Sequence, residues 1–385
     1  MKIAFYNPTH LTFLSGAEIV LLNMLPLIVE EGHEVTLYMT SLEEVPANSS
    51  VVKELKNTGV KIIQLKSFSL PLSGSPIPVG FLLQLGARYD FFYVFNGFAF
   101  QDFFGLILSK IFRAKFVYGI IAPMMTRYHL HNIYQSTVAK LIIRKADMVH
   151  TLNRDDCESL GLINKKVFFV GFGLKKEFLL HDVPEERLKS KALNVIFVGR
   201  LCEQKGVLRL LKVIEQMSGN IAIKFFICGD GEYRTMVEEY SAKLPNLTYL
   251  GFAHKKLSEV FKDKHVFLNL SKYETFCLTV LEALANGLPV IATATSGVCK
   301  DYGDDMLFAK ISNDSQINEI KAAIERMASI FKNQKDEYNK MAKRAIKKAS
   351  FFVWEDMTSS FIKHFTDELQ SEKNKQRSGR LLNKH

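Results

Sequence analysis

The feature that most constrains this chain is an alternation that runs twice. Short apolar runs rich in aromatic and β-branched residues alternate with longer runs of helical period, and after a polar interruption the pattern starts again. In the first half, residues 2–6, 34–38, 61–65, 91–95, 115–118, 148–152 and 167–170 read as strands, with helical segments at 18–30, 100–112 and 134–145. In the second half, 195–198, 224–228, 247–250, 266–269 and 290–292 read as strands, with helices at 207–217, 232–244 and 278–286. Runs such as Phe91-Phe92-Tyr93-Val94-Phe95 are apolar at every position rather than every second one, as a parallel strand covered on both faces requires. Strands alternating with helices imply an α/β chain with parallel sheets. A length of 385 residues accommodates two such sheets, at roughly 150 residues per domain. The expected architecture is therefore two doubly wound, Rossmann-like domains facing each other across a cleft, with ligands near the strand carboxyl ends.

The expected boundaries are a first domain over 1–182, a linker at 183–193 containing Pro184, and a second domain over 194–350. Helices at 315–331, 335–350 and 352–368 follow, the last in a separate segment 351–370. The basic stretch 371–385 lacks apolar periodicity and is expected to be disordered. With 48% hydrophobic and 23% charged residues, composition excludes a disordered, collagen-like or disulfide-stapled chain. The five cysteines contain no C-x-x-C pair, which points away from zinc knuckles and toward a reducing, cytoplasmic compartment. The first residues read as a strand rather than a signal peptide. The most apolar stretch, 91–109, is broken by Asn96, Gly97, Gln101 and Asp102. Asp102 at a bilayer centre would cost about 2.5–3.5 kcal/mol, so no spanning helix is expected.

The net charge of +10 is local. Residues 103–146 hold seven basic residues (Lys110, Arg113, Lys115, Arg127, Lys140, Arg144, Lys145) and no Asp or Glu. Together with Phe103, Phe104, Phe112 and Phe116, this segment suits a peripheral contact with an anionic membrane, at its inner face, or a phosphate-bearing lipid acceptor. No RNA- or DNA-reading motif accompanies the charge, so nucleic acid is not expected as a partner.

Three strand-to-helix turns of the second half carry residues fit for chemistry. Gly199-Arg200-Leu201 leads through Cys202 to Lys205-Gly206, placing two cations at a strand's carboxyl end, where a diphosphate fits. Gly229-Asp230-Gly231-Glu232 is a second turn. The third begins at Ser271, with Glu274 in the loop and Glu282 inside the following helix. Its loop residues Thr275, Phe276, Cys277 and Leu278 lead to a helix N-terminus whose free N–H groups favour an anion. An inward-facing Glu282 needs a polar partner such as vicinal sugar hydroxyls.

In this order the three motifs, followed by Ala285-Asn286-Gly287-Leu288-Pro289-Val290, resemble the retaining glycosyltransferases of family 4, which have the GT-B fold. Ser15-Gly16-Ala17-Glu18 resembles the turn at which that family's backbone approaches the donor phosphate. Trp354 resembles its terminal helix, which crosses back to the first domain. The resemblance implies a hexosyltransferase that moves a sugar, with retention, from a UDP- or GDP-type donor to a glycan or lipid-linked acceptor, in cell-surface polysaccharide or glycolipid synthesis. It implies catalytic roles for Arg200 and Lys205 at the leaving diphosphate and for Glu274 at the transferred sugar. It also implies a ribose grip by Glu282, and donor contacts from Gly16, Gly199, Gly229, Gly231, Thr275, Phe276, Cys277 and Leu278.

Three positions depart from the family pattern: Cys277 stands where a Gly is usual, and Lys300 beside Asp301 stands where a Glu is usual. The stretch 117–123 carries no His, leaving His129 and His131 as the nearest. No two aspartates are separated by one residue, so no Asp-x-Asp clamp exists. Neither a metal nor another cofactor is expected, and the leaving charge would fall to the cations and helix N-termini. The alternatives are a nucleotide-sugar epimerase of the same fold and a non-catalytic nucleotide-sugar-binding scaffold.

Overall fold

The computed structural model describes residues 1–7, 16–41, 49–69, 76–84, 86–95, 101–121, 133–152, 158, 161–162, 166–252, 257–294, 297, 307–311 and 317–382. The chain forms two compact units: Met1–Gly171 together with Trp354–His385, and Phe172–Val353.

In the first unit the strands are β1 (Lys2–Asn7), β2 (Glu34–Ser41), β3 (Lys61–Ser69), β4 (Pro76–Pro78), β5 (Phe91–Phe95), β6 (Lys115–Ile120), β7 (Met148–Thr151) and β8 (Val167–Phe169). They lie in the order β4-β3-β2-β1-β5-β6-β7-β8, parallel except for the β3–β4 pair. All five residues of β5 are buried, which explains its unbroken apolar run. One face packs the helix Gln101–Ile111 through Leu108 and its following Phe112, against Tyr6, Tyr38, Phe92 and Phe116. The other face packs the helix Trp354–Leu382. There Phe361 and Phe365 meet Phe5, Phe91, Tyr93 and Phe168 with ring centroids 4.4–6.5 Å apart. Each such aromatic pair is worth about 0.5–1.5 kcal/mol beyond its buried area. Lys115 and Lys166 hold the same helix by pairing with buried Glu368, at 2.7 and 2.5 Å.

The second unit contains β9 (Leu193–Val198), β10 (Ile223–Cys228), β11 (Leu247–Tyr249), β12 (Val266–Asn269), β13 (Val290–Thr293) and β14 (Leu307–Ile311), all parallel, in the order β11-β10-β9-β12-β13-β14. The order reverses between β9 and β12, so helices leave these two neighbours toward opposite faces. Helix Val207–Gln216 turns Val207, Leu210, Leu211, Val213 and Ile214 inward at helical spacing, and these join Ile320, Ile324 and Met327 of helix Ile317–Asn333 in one core.

Two features differ from the sequence-based expectation. Residues 183–193, expected as a linker, include the short helix Glu185–Leu188 and a buried Arg187. The Arg187 guanidinium donates to the carbonyls of Asn286, Lys262 and Phe261 at 2.7, 3.1 and 3.3 Å. A charge cluster looks solvated in sequence, yet one arginine offers enough donors to close three carbonyls at once. The last helix runs to Leu382, through a stretch expected to be disordered. Lys, Glu, Gln and Arg are good helix formers, and missing apolar periodicity signals a missing buried face rather than a missing helix. Strands β4 and β14 and the helix Ser49–Asn57 were not legible; β4 carries two prolines, which fit only at a sheet edge. Among the described residues, no helix is long and apolar enough to cross a membrane.

Among the described residues, each unit buries one histidine in its neutral form. In the first unit, His150 Nε2–H donates to the Val170 carbonyl at 2.9 Å, and Nδ1 accepts from the Tyr93 hydroxyl at 2.7 Å. In the second, Asn194 N–H donates to His265 Nδ1 at 2.8 Å while Nε2–H donates to the Arg187 carbonyl at 3.0 Å. Burial lowers both imidazoles to about 4. The unfolded chain thus binds two protons that the folded chain refuses between pH 6.5 and 4, and stability falls as pH falls through that window. Urea unfolding between pH 7 and 4 should show a loss of up to about 3 kcal/mol per histidine. A midpoint unchanged from about pH 7 to 4.5 would refute this.

Candidate functional site

The carboxyl ends of β9, β10 and β12 bring the three sequence turns together. The turn after β9 runs from Gly199 and Arg200 to the 3-10 turn Glu203–Lys205, and the loop after β12 runs from Ser271 to Cys277. Four interactions tie them. Lys272 N–H donates to Gln204 O at 2.8 Å, and Gln204 Nε2 donates to Tyr273 O at 3.3 Å. Lys272 pairs with Glu203 at 2.6 Å at the surface, and Lys205 pairs with Glu274 at 2.5 Å in a half-buried place. The β10 turn closes against the first: Leu201 N–H donates to Asp230 O at 2.8 Å, and Gly199 N–H donates to Cys228 O at 3.0 Å. At Gly229 a Cβ would fall 1.9 Å from the Gly199 carbonyl oxygen, so only glycine permits this approach. Gly231 lies against Leu201 in the same way, and Gly297 lies against the backbone of Glu274 and Thr275, where a Cβ would sit 2.4 Å from the Thr275 oxygen.

Electrostatics single out three side chains. Burial alone would lower Lys205, but the Glu274 carboxylate beside it more than offsets this and holds the ammonium above the usual lysine value. Arg200, exposed at the rim, is near enough to act against it as a like charge. Glu282 lies inside helix Leu278–Ala285, and burial alone pushes its carboxyl up to about 7. Cys277, at the helix N-cap, has φ +63°, a left-handed conformation rare for residues other than glycine. Its thiol is pushed up to about 12, chiefly by burial and next by Glu274, so it is a poor nucleophile. Its Sγ lies 3.4 Å from Asn269 Nδ2 and from Thr279 Oγ1. Asn269, which sequence reasoning did not mark as a site residue, accepts from Ser271 N–H and Oγ at 3.2 and 2.7 Å and braces the loop's start. Its only signal in sequence was a polar side chain closing an apolar strand.

The structure thus joins Gly199, Arg200, Lys205, Gly229, Gly231, Glu274, Thr275, Phe276, Cys277, Leu278 and Glu282 around one sheet end of the second unit. Gly16 opens the helix Gly16–Glu30 of the first unit. Ser15, His129, His131, Ser296, Lys300 and Asp301 lie outside the described residues. In the basic segment, Lys115 is not available to an outside partner, because Glu368 and Glu372 bind it. Among its described residues, Phe103, Ile133, Val138 and Leu141 are exposed, as are Lys110, Arg113, Arg144 and Lys145. Arg127 is outside the described residues.

Residues 181–348 match the family model for glycosyl transferases group 1. A phosphatidylinositol N-acetylglucosaminyltransferase chain of Arabidopsis thaliana is 26% identical over 235 residues, covering 60% of this chain and 50% of that protein. A GDP-mannose-dependent alpha-mannosyltransferase of Mycobacterium tuberculosis is 37% identical over 102 residues, covering 26% of this chain and 25% of that protein. The chain spans half or less of the length of these curated relatives. Among solved structures, Anabaena HepE in complex with UDP-glucose aligns with a TM-score of 0.72 at 16% identity, covering 96% of this chain and 100% of that one. A sucrose-phosphate synthase from Thermosynechococcus elongatus aligns at 0.75 and 17%, covering 96% and 99%. At such identities the likeness establishes the fold: two parallel-sheet α/β units of the GT-B class.

The Gly229 contact yields a test of the site's rigidity. Gly229→Ala should lower stability by about 1–3 kcal/mol through forced backbone movement. Gly219→Ala, where an added Cβ meets nothing within 4 Å, should change it by less than about 0.5 kcal/mol. Equal melting temperatures for the two variants would show that the turns are not in close contact.

Proposed function

We propose, from the membership of residues 181–348 in the group 1 glycosyl transferases, that this chain transfers a sugar from a nucleoside diphosphate donor to a glycan or lipid-linked acceptor, with retention of configuration. The observation that carries this reading is the convergence of Arg200, Lys205 and Glu274 at the strand-order reversal between β9 and β12, with Glu282 in the helix that follows the same loop. In such a reaction the bond from the sugar's anomeric carbon to the diphosphate oxygen breaks. The acceptor oxygen bonds to that carbon, the acceptor hydroxyl gives up its proton, and the nucleoside diphosphate departs with the negative charge. Arg200 and Lys205 would meet that charge without a metal, Lys205 from a partly desolvated position where its field is least screened. Glu282 would receive the two ribose hydroxyls, the polar partners its burial calls for. Glu274 would hold hydroxyls of the transferred sugar. The backbone N–H groups of Thr275 to Leu278 and of the glycine turns would lie along the phosphates.

Incubation with a panel of UDP- and GDP-sugars tests the reading directly. Release of nucleoside diphosphate, by transfer or slow hydrolysis, is expected, and it should survive EDTA. Conversion to an altered sugar nucleotide would make the chain an epimerase instead, and no turnover with retained binding would make it a scaffold. Lys205→Ala should lower kcat by about 10²–10³. Because ionised Glu282 accepts stronger hydrogen bonds than its neutral form, kcat/KM should rise through about pH 7 to a plateau above about 8, and Glu282→Gln should flatten that limb. A pH profile unchanged in Glu282→Gln would remove the ribose role.

The exposed apolar and cationic residues of segment 103–146 support a second part of the proposal, peripheral binding to anionic lipid. Apolar side chains enter the headgroup region while neighbouring cations meet the lipid phosphates. The chain should sediment with vesicles containing anionic lipid at low salt and release as salt shortens the reach of its charges. Changing Lys140, Arg144 and Lys145 together to Gln should weaken that sedimentation. Binding unaffected by the triple change, or absent at low salt, would show that this face is merely solvated.

A further inference from the structure

The Lys205 ammonium already has an anion. Glu274 Oε1 lies 2.5 Å from it, and both side chains are largely out of solvent. Arg200 faces the pair as a second cation and Cys277 as a neutral thiol. Glu274 cannot swing away cheaply into water, since Gly297 closes on its backbone and that of Thr275 and its side chain is buried. A diphosphate that takes Lys205 therefore competes with an internal carboxylate of the same charge. The two anions cannot both keep the ammonium without repelling each other.

We propose that Glu274 is a specificity-determining residue that sets sugar-bearing donors above bare nucleoside diphosphates by competing for Lys205. This rests on the donor-site reading above. When the incoming ligand carries a sugar beyond its β-phosphate, Glu274 exchanges its cation for sugar hydroxyls and stays hydrogen-bonded. When the ligand is the bare nucleoside diphosphate, Glu274 loses its cation and gains no comparable partner in a buried place, which is costly. The same carboxylate then favours return to the Lys205 pair and expulsion of the product. The site thus prefers what it consumes over what it makes.

Calorimetry with UDP, GDP and the matching monophosphates, on the full chain, separates this from a structural role. Glu274→Gln should bind its preferred nucleoside diphosphate about tenfold more tightly than the parent chain, and the monophosphate with unchanged affinity, because only a β-phosphate contests Lys205. Its turnover of the sugar nucleotide should fall, and product inhibition should become stronger. Glu274→Asp keeps the charge balance around Lys205 but has a shorter reach, so it guards against a folding defect; it should bind the diphosphate with intermediate affinity. Equal or weaker diphosphate binding in both variants would overturn the competition while leaving the donor-site reading intact. Failure of the parent chain to bind any of these nucleotides would overturn both.

Discussion

A parallel sheet must reverse its strand order somewhere if helices are to cover both faces, and the rest of this molecule's chemistry follows from where that happens. In the second unit the reversal falls between β9 and β12. The chain leaves these neighbouring strands in opposite directions, so their carboxyl ends are not roofed by a common helix. Two turns can then meet there edge to edge. Hydrogen bonds from Lys272 to Gln204 and from Gln204 to Tyr273 join them, and the glycines of the β10 turn let a third approach to backbone contact. The site is thus held by main-chain hydrogen bonds and glycine contacts together with two ion pairs, Lys272 with Glu203 and Lys205 with Glu274.

That arrangement explains why the site tolerates such strained and unequal company. Cys277 occupies a left-handed conformation at some cost, and Glu282 stays in a desolvated position that leaves it about half protonated at pH 7. Both sit on helix Leu278–Ala285 or at its cap, and the buried Val280, Leu281, Ala283, Leu284 and Ala285 anchor that helix firmly enough to carry the penalty. Local strain held in place by a well-packed element is the usual mark of a working site rather than of a structural core.

Much of this was legible from residues alone, and the reasons differ. The parallel sheets were legible because strands such as Phe91–Phe95 and Val266–Asn269 are apolar nearly throughout, a pattern with few alternatives. The site turns were legible because two of them place glycine and charge directly after such a strand, and the third places Lys272 and Glu274 between a strand and a helix. What escaped was pairing at a distance. Nothing near Lys115 shows that it belongs to Glu368, 253 positions away, so a basic segment looked more available than it is. Nothing near Lys205 shows that Glu274, 69 positions on, occupies it. Arg187 likewise sat in a polar string whose carbonyl partners come from residues 261–286. Local patterning reveals where a charge stands but not which charge it faces.

The helix Trp354–Leu382 gives the first unit an unusual birth order. Its Phe361 and Phe365 complete a cluster whose other members, Phe5, Phe91, Tyr93 and Phe168, all precede residue 172. On the ribosome, the sheet made first must wait with one aromatic face uncovered while some 180 residues of the second unit are synthesised and folded. At a synthesis rate of about 5–20 residues per second, that wait is on the order of ten to forty seconds. The part of the chain that begins to fold first is therefore the part that finishes last, and for that interval its stickiest surface depends on whatever else in the cell is there to cover it.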